Sequence, residues 1–536
     1  MRCTTARERA REAEPGRGFP ARVSRSSGAG LAAVLLSLLL ASCASAPPVS
    51  PPELQMDLPV QWTSPSRADS AVSAPSAEGR AVGPARDDSL ALSLRWWEAF
   101  GDSTLDRLVL ESLGSNYDLQ AAAARVQEAL ALAGIQRADG LPQLNGSGSA
   151  QRSKQLFPGF PFGGNGDKPA SFLTNVYRLD LQLSWELDLW GRVRTATSAA
   201  LSDAQAAVAD YAGAQLSLSG QTAKAWFALV EARHQLELAK RTVASFRRTV
   251  DATRSRYRHG LAPALNLRLS LADYNAALAL QQTRQQQLDR AERRLEVLLG
   301  RYPRADVESN PRLPTLDTPP PAGLPAELLT RRPDLIAAER RLAAAGLRVS
   351  SSKRALLPRI SLTGSAGTTG NELNQIFDGD FGMWSLLGNL VQPIFQGGRL
   401  RAQVRQAEAR QAEVLSNYAN TALKAFAEVE NALTAERLLR QREEHLRESS
   451  EQARAAASLA GDRYRAGLTD LITLLGSQRR AFEAESAWIQ VQRERLDARV
   501  DLIMALGGGF TLPPPEPGKD TRSFQLEDPR FREDAR

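Results

Sequence analysis

The chain has 536 residues, too many for one ordinary compact core, so several domains or one elongated body is expected. Its formal charge is +7, but seven Arg and three Glu before residue 43 account for +4, leaving +3 on the rest. So slight an excess, with no RNA- or DNA-binding motif beside it, argues against a nucleic-acid partner. The two cysteines, Cys3 and Cys43, both lie in or beside the amino-terminal targeting region, so neither a disulfide framework nor a zinc site is implied. His234, His259 and His445 are far apart in helical sequence and read as solvated helix residues. No GxSxG, HExxH, Walker or GxGxxG arrangement stands in a fitting context, so no enzyme, cofactor or metal is expected.

Residues 1–42 read as a signal peptide. Residues 31–40, LAAVLLSLLL, follow Arg22 and Arg25; ten apolar residues are too few to span a bilayer but suit a signal-peptide core. Leu40-Ala41-Ser42-Cys43 resembles the bacterial lipobox, in which cleavage precedes the cysteine and its thiol carries a diacylglyceryl group. Ala44 stands where an Asp would signal inner-membrane retention, so the outer membrane is the expected destination. The partly acidic stretch before Arg22 departs from the signal pattern, and initiation downstream, near Val23, is expected. Residues 43–90, rich in Pro, Ser and Ala, read as a flexible lipidated tether, and 511–536 as a loosely ordered tail.

The body repeats itself. Asp118-Leu119 matches Asp334-Leu335 at an offset of 216, while Gly191-Arg192, Tyr211 and Arg256-Tyr257-Arg258 match Gly398-Arg399, Tyr418 and Arg463-Tyr464-Arg465 at 207. The nine-residue difference is expected between about 150 and 176, a Gly/Pro/Phe-rich stretch that looks like a loop. Two repeats, 91–310 and 311–510, follow, each supplying the same parts to a pseudo-symmetric body.

Each repeat reads as helix, strand, loop, strand, very long helix, turn and long helix. The first helix is expected from about 106 to 139. The strands are expected at about 143–152, 176–190, 359–367 and 383–395, and the long helical stretches at 191–300 and 398–506. From Tyr177 to Leu189 every second residue is apolar, and between them stand Arg178, Asp180, Gln182, Ser184, Glu186 and Asp188. A strand so patterned has one apolar and one charged face. Few other strands exist to build a soluble sheet, whereas an outer-membrane barrel strand faces lipid on one side and water on the other. Four strands are too few for a barrel, and open edges are intolerable in lipid, so several chains must share one.

From Gly191 to Tyr257 there is no proline, and about 67 helical residues would reach ~100 Å. Leu229, Leu236, Val243, Val250 and Tyr257 recur every seven residues, with Ala232, Ala239, Phe246 and Thr253 as the companion row of a coiled-coil seam. Gly260 and Gly467 end these helices where a left-handed residue is needed.

The segments 95–100 (RWWEAF), 188–192 (DLWGR), 324–342 (LPAELLTRRPDLIAAERRL), 392–395 (QPIF) and the two Arg-Tyr-Arg-x-Gly-Leu turns carry a family resemblance. Over about 90–510 the chain resembles the outer membrane factors of the TolC superfamily, specifically the NodT/OprM-like efflux lipoproteins. The resemblance implies a mostly helical fold: a homotrimeric α-barrel of long coiled-coil helices joined to a shared twelve-stranded transmembrane β-barrel, four strands per protomer. It implies a passive exit duct in the outer membrane, docked on a periplasmic membrane fusion protein and an inner-membrane transporter of the RND class. Gly260, Leu261, Gly467 and Leu468 match the family's adaptor-contacting tips.

One departure concerns the periplasmic aperture. TolC-like members commonly carry aspartates six and nine residues past the second-turn glycine, and here those positions are Thr473 and Gly476, with Asn266 and Leu269 in the first repeat. A constriction of Asn266, Thr473 and Leu474, with Asp470 at its edge, is expected instead. Two alternatives stay open: a non-conducting coiled-coil scaffold lipoprotein, and an exit duct for type I protein secretion.

Overall fold

The structure, a computed structural model, describes residue 62 and residues 95–157, 170–307, 312–316 and 325–509. The expected signal peptide, the expected acylation site Cys43, most of the expected tether and the tail lie outside the described residues.

Asp102 and Asn116 divide the first helix. Asp102 caps α1 (Ser103–Ser115), its carboxylate accepting from the Thr104 and Leu105 N–H groups at 2.9 and 3.2 Å. Asn116 caps α2 (Tyr117–Ala138), accepting from the Leu119 N–H at 3.1 Å. The single helix expected from 106 to 139 is therefore two, because an extended Asn116 interrupts the backbone ladder.

Two antiparallel strands follow, β1 (Gln143–Phe157) and β2 (Ala170–Leu187), then the long α3 (Arg192–Arg258) and α4 (Ala264–Leu298). The second repeat gives a helical turn (Leu328–Arg331), α5 (Pro333–Arg354), β3 (Arg359–Gly370), β4 (Gly382–Val391), α6 (Arg399–Arg465) and α7 (Leu471–Ala505). The helices match in pairs: 67 residues in α3 and α6, 35 in α4 and α7, 22 in α2 and α5. At 1.5 Å per residue these are ~100, ~52 and ~33 Å long.

Within each repeat the two shorter helices stack end to end beside the long one. The end of α4 meets the α1–α2 junction, where Ser115 Oγ donates to the Leu299 carbonyl at 2.6 Å and Asn116 Nδ2 to the Leu298 carbonyl at 3.0 Å. The end of α7 meets the start of α5, where Arg332 Nη1 donates to the Ala505 carbonyl at 3.2 Å. Glycine is required at both joints. Gly300 and Gly507 have φ of 67° and 95°, and a Cβ there would lie 2.6 Å from the Ser115 carbonyl oxygen and 2.9 Å from that of Arg331.

The main core sits where the repeats meet. Trp226, Phe227, Leu229 and Val230 of α3 pack with Trp96, Trp97 and Leu105 on one side and Leu496 and Val500 of α7 on the other. The seam is buried at Leu236, Ala239, Phe246, Val250 and Thr253 and opens at Tyr257. The two long helices are not equally covered: α3 buries 28 residues, and α6, of equal length, buries 10. α3 runs between α2 and α4 on one flank and α5 and α7 on the other, whereas α6 packs on α5 and α7 and leaves its other flank bare.

The four strands form one antiparallel sheet in the order β1-β2-β3-β4, with β1 and β4 at its edges. The strand ends differ from the sequence expectation, each for a local reason. β2 stops at Leu187, not 190, because Asp188 turns away to cap α3 and Gly191 (φ 72°) is left-handed. β4 stops at Val391, not 395, because Pro393 has no N–H to donate to a ladder. β1 and β3 run on to Phe157 and Gly370, past the expected 152 and 367. With β2 starting at Ala170, the segment between β1 and β2 is shorter than the expected loop.

Candidate functional site

The register sorts the sheet into two faces. Residues directly opposite share a face, so Leu144, Gly146, Gly148 and Ala150 of β1 lie beside Leu183, Leu181, Leu179 and Tyr177 of β2. That face continues through Leu362, Gly364 and Ala366 of β3 to Gly388, Leu386 and Trp384 of β4. It carries no charge between Tyr177 and Leu187. The opposite face presents Asn145, Ser147 and Ser149, then Arg178, Asp180, Gln182 and Glu186, then Ser361, Thr363 and Ser365.

Ten residue steps from Tyr177 to Leu187 at ~3.3 Å, inclined at ~40°, give an apolar band ~25 Å tall, the height of an outer-membrane barrel wall. Tyr177 marks one border and Trp185 the other, as interfacial aromatics do. Beyond Tyr177 the same face turns polar with Asn175, Arg152 and Lys154. All ten residues of β4 are exposed, so this edge strand has no side-chain cover on either face. Among the described residues no helix is long and apolar enough to cross a membrane.

The sheet joins the helices through a rigid corner. The Asp188 carboxylate accepts from the Val193 and Arg194 N–H groups at 3.1 and 2.8 Å, Trp190 Nε1 donates to the Pro358 carbonyl at 2.6 Å, and Arg354 Nη1 to the Gly191 carbonyl at 2.8 Å. The Asp-Leu-Trp-Gly-Arg stretch is thus a strand-to-helix hinge held from three directions.

At the far end of the long helices stand two equivalent turns. Gly260 N–H donates to the Tyr257 carbonyl at 3.0 Å and Leu261 N–H to that of Arg256 at 2.8 Å; Gly467 and Leu468 donate to Tyr464 and Arg463 at 3.1 and 2.7 Å. Both are Schellman turns, with Gly260 and Gly467 left-handed at φ 74° and 75°. Leu261 and Leu468 stand 77% and 68% exposed at the tips.

The turns are followed by different helix starts. Pro263 opens α4 without a side-chain cap, and Asn266 is half-buried in its first turn. Asp470 caps α7, its carboxylate accepting from the Thr473 N–H at 2.7 Å, and this bond holds it below the usual carboxylate range. Thr473 is exposed. Leu474 is not a surface residue of the chain: at 4% exposure it packs with Leu471, Leu475, Phe246 and Ala277 in a core between the helix pairs. One helical step separates it from Thr473 and turns it inward, as an apolar neighbour behind that exposed residue.

The turn glycines did not reveal what ties the tips together. Arg256 Nη2 donates to the Tyr464 and Arg465 carbonyls at 2.9 and 3.1 Å, and its guanidinium lies 4.5 Å over the Tyr464 ring. Thr253 Oγ1 is 3.4 Å from the Tyr464 hydroxyl. The Arg-Tyr-Arg repeat marked these residues as equivalent in the two halves but not that they meet.

A membrane-wall sheet with open edges, continued by ~100 Å of paired helices, defines a class: channel proteins of the outer membrane with a long periplasmic body. The family model described as "Outer membrane efflux protein" matches residues 108–301 and 324–508, and the chain belongs to that family. It is 34% identical to outer membrane protein OprJ of Pseudomonas aeruginosa over 485 residues, 90% of this chain and 96% of the relative. It is 31% identical to the toluene efflux pump outer membrane protein TtgI of Pseudomonas putida over 481 residues, 89% of this chain and 97% of the relative. The crystal structure of the Campylobacter jejuni CmeC outer membrane channel aligns with a TM-score of 0.76 at 25% identity, covering 88% of this chain and 96% of that one. The chain is therefore an outer-membrane efflux channel component.

Proposed function

We propose that three copies of this chain close into one passive exit duct of a tripartite efflux system. Twelve strands, four from each copy, form the outer-membrane barrel, and the helices continue it as a periplasmic tube. The observation that carries this reading is that the bare edges coincide. β1 and β4 leave unpaired N–H and C=O groups at the sheet's two sides, and α6 is uncovered along a flank where its counterpart α3 is packed. A second copy laid edge to edge satisfies both at once, and edges in lipid must be satisfied.

The tips Gly260, Leu261, Gly467 and Leu468 dock on a periplasmic membrane fusion protein, which couples the duct to an inner-membrane RND-type transporter. Exposed leucines on rigid turns suit an apolar tip-to-tip contact. Cys43 is acylated and anchors the chain in the outer membrane. Asn266, Thr473 and Asp470 line the periplasmic constriction, with Leu474 packed behind them. The Asp470 carboxylate is engaged by its helix start, so divalent cations block the pore weakly. Cargo is chosen by the pump, and the duct excludes by size and charge.

The test is native mass spectrometry with single-channel conductance in planar bilayers. A trimer that conducts supports the duct, and a non-conducting rod supports a scaffold instead. Bulky charge at the tip, Gly467→Arg with Leu468→Arg, is expected to abolish efflux while the trimer persists. Leu261→Glu with Leu468→Glu, which leaves the left-handed glycines untouched, should do the same. Normal efflux in both variants removes the docking assignment.

A further inference from the structure

The internal repeat allows every contact between the halves to be transposed onto the next copy. A residue of α3 maps onto α6 by adding 207, and a residue of α6 or α7 maps back by subtracting 207. If copies follow one another as the halves do, the contacts α3 makes with the second repeat are the template for those α6 makes with the first repeat of a neighbour.

Most polar contacts do not survive this operation. The Lys224–Asp501 pair becomes Asn431 against Arg294. Arg493–Glu231, at 2.9 Å, becomes Gln286 against Leu438. Arg241–Glu485, at 2.8 Å, becomes Glu448 against Leu278. In each case the charge complementarity is lost.

The tip contact survives. Arg256 maps onto Arg463, Tyr464 onto Tyr257, and Arg465 onto Arg258, so the guanidinium, the ring and both carbonyls recur. Only the Thr253 hydroxyl is lost, replaced by Ala460. Within one chain the first set is engaged and the second is idle. Tyr464 is 5% exposed under Arg256, whereas Tyr257 is 45% exposed and Arg463 points into solvent with no side-chain partner among the contacts that hold the tip.

We propose that Arg463 of each copy clasps Tyr257 of the next copy, its guanidinium over the ring and its N–H groups on the Tyr257 and Arg258 carbonyls. This rests on the trimeric reading above. The periplasmic mouth is then laced by six like clasps, three within chains and three between them. The two kinds share guanidinium, ring and carbonyls and differ only by the Thr253 hydroxyl, so the ring of tips is held at the chain boundaries as well as within chains. The clasps between chains restrain the splaying of the tips, and releasing them widens the mouth.

The test uses the full-length channel in detergent. Arg463→Cys with Tyr257→Cys, treated with a short bis-maleimide, is expected to give covalent dimers and trimers. Arg256→Cys with Tyr464→Cys, the control for reach, should link within one chain and leave the mass on a denaturing gel unchanged. Single-cysteine variants measure any background from Cys43. Absence of cross-chain product in a channel of trimeric native mass overturns the clasp and leaves the trimer standing. A monomeric native mass overturns the trimeric reading itself. In bilayers Arg463→Ala is expected to raise open-state occupancy about two- to fivefold, the scale of an exposed cation–π contact, with no further rise on adding Tyr257→Ala. Arg463→Lys, which keeps charge but loses the planar fork, should fall between. Conductance in Arg463→Ala equal to that of the unsubstituted channel overturns the restraint.

Discussion

Arg192 grips Glu186 at the point where sheet becomes helix: Nε and Nη2 meet Oε1 at 3.0 and 2.8 Å, and Nη2 meets Oε2 at 2.9 Å. The pair spans the turn from β2 into α3, and both side chains are half-buried. A planar fork on a carboxylate fixes orientation as well as distance. Arg192→Lys keeps the charge and loses the fork. The expected cost of Arg192→Ala is about 1–2 kcal/mol, read as a lower melting temperature of the purified channel, with Arg192→Lys in between.

The two faces of β2 make opposite predictions for neighbouring residues. Leu181 lies near the middle of the apolar band, so Leu181→Arg should cost about 2–4 kcal/mol and deplete the protein from the outer membrane. Gln182→Arg, on the polar face, should insert normally and alter ion selectivity instead. Fractionation and reversal potentials separate the two outcomes.

Gly300 and Gly507 hold the same position in the two repeats, and both combine positive φ with backbone closer than a methyl group allows. Alanine at either is expected to cost about 1–3 kcal/mol. The carbonyl is nearer at Gly300, 2.6 Å against 2.9 Å, so Gly300→Ala should be the more damaging in a thermal melt.

Burial pushes the Asp497 carboxyl up to about 6, against the opposing pull of Arg493 and Lys224. The folded protein therefore holds a proton there that the unfolded chain has released above its ordinary value near 3.8. This contribution to stability is complete in acid and is lost as pH rises through about 6. Asp497→Asn is expected to stabilise the protein at about pH 7.5 by up to ~3 kcal/mol and to change nothing at about pH 3, where both states are protonated. Melting curves at the two pH values decide it.

The fold class was legible because its two signals are long-range and redundant. The alternation at 177–189 announces a two-faced strand, and matched positions at one offset announce two like halves. Element ends were less legible because single residues set them. Asn116 splits a helix that periodicity joins, and Pro393 ends a strand that alternation extends. At the tips the glycines located the turns, since only a left-handed residue fits there. Which side chains meet was hidden, because Arg256 finds Tyr464 across 208 residues of chain and no local pattern encodes that. The burial of Leu474 was hidden for a related reason: spacing from a glycine gives height along a helix, and packing decides which way the side chain turns.

The uneven covering of α3 and α6 has a consequence for how this protein comes into being. On the trimeric reading proposed above, a newly exported polypeptide with one ~100 Å helix half stripped and two strand edges open has no stable resting form of its own. On that reading its maturation is governed by mass action among identical polypeptides, and its apparent denaturation midpoint should climb with concentration, as for an obligate oligomer. Dilution, more than heat, is the stress such a molecule is least built to withstand.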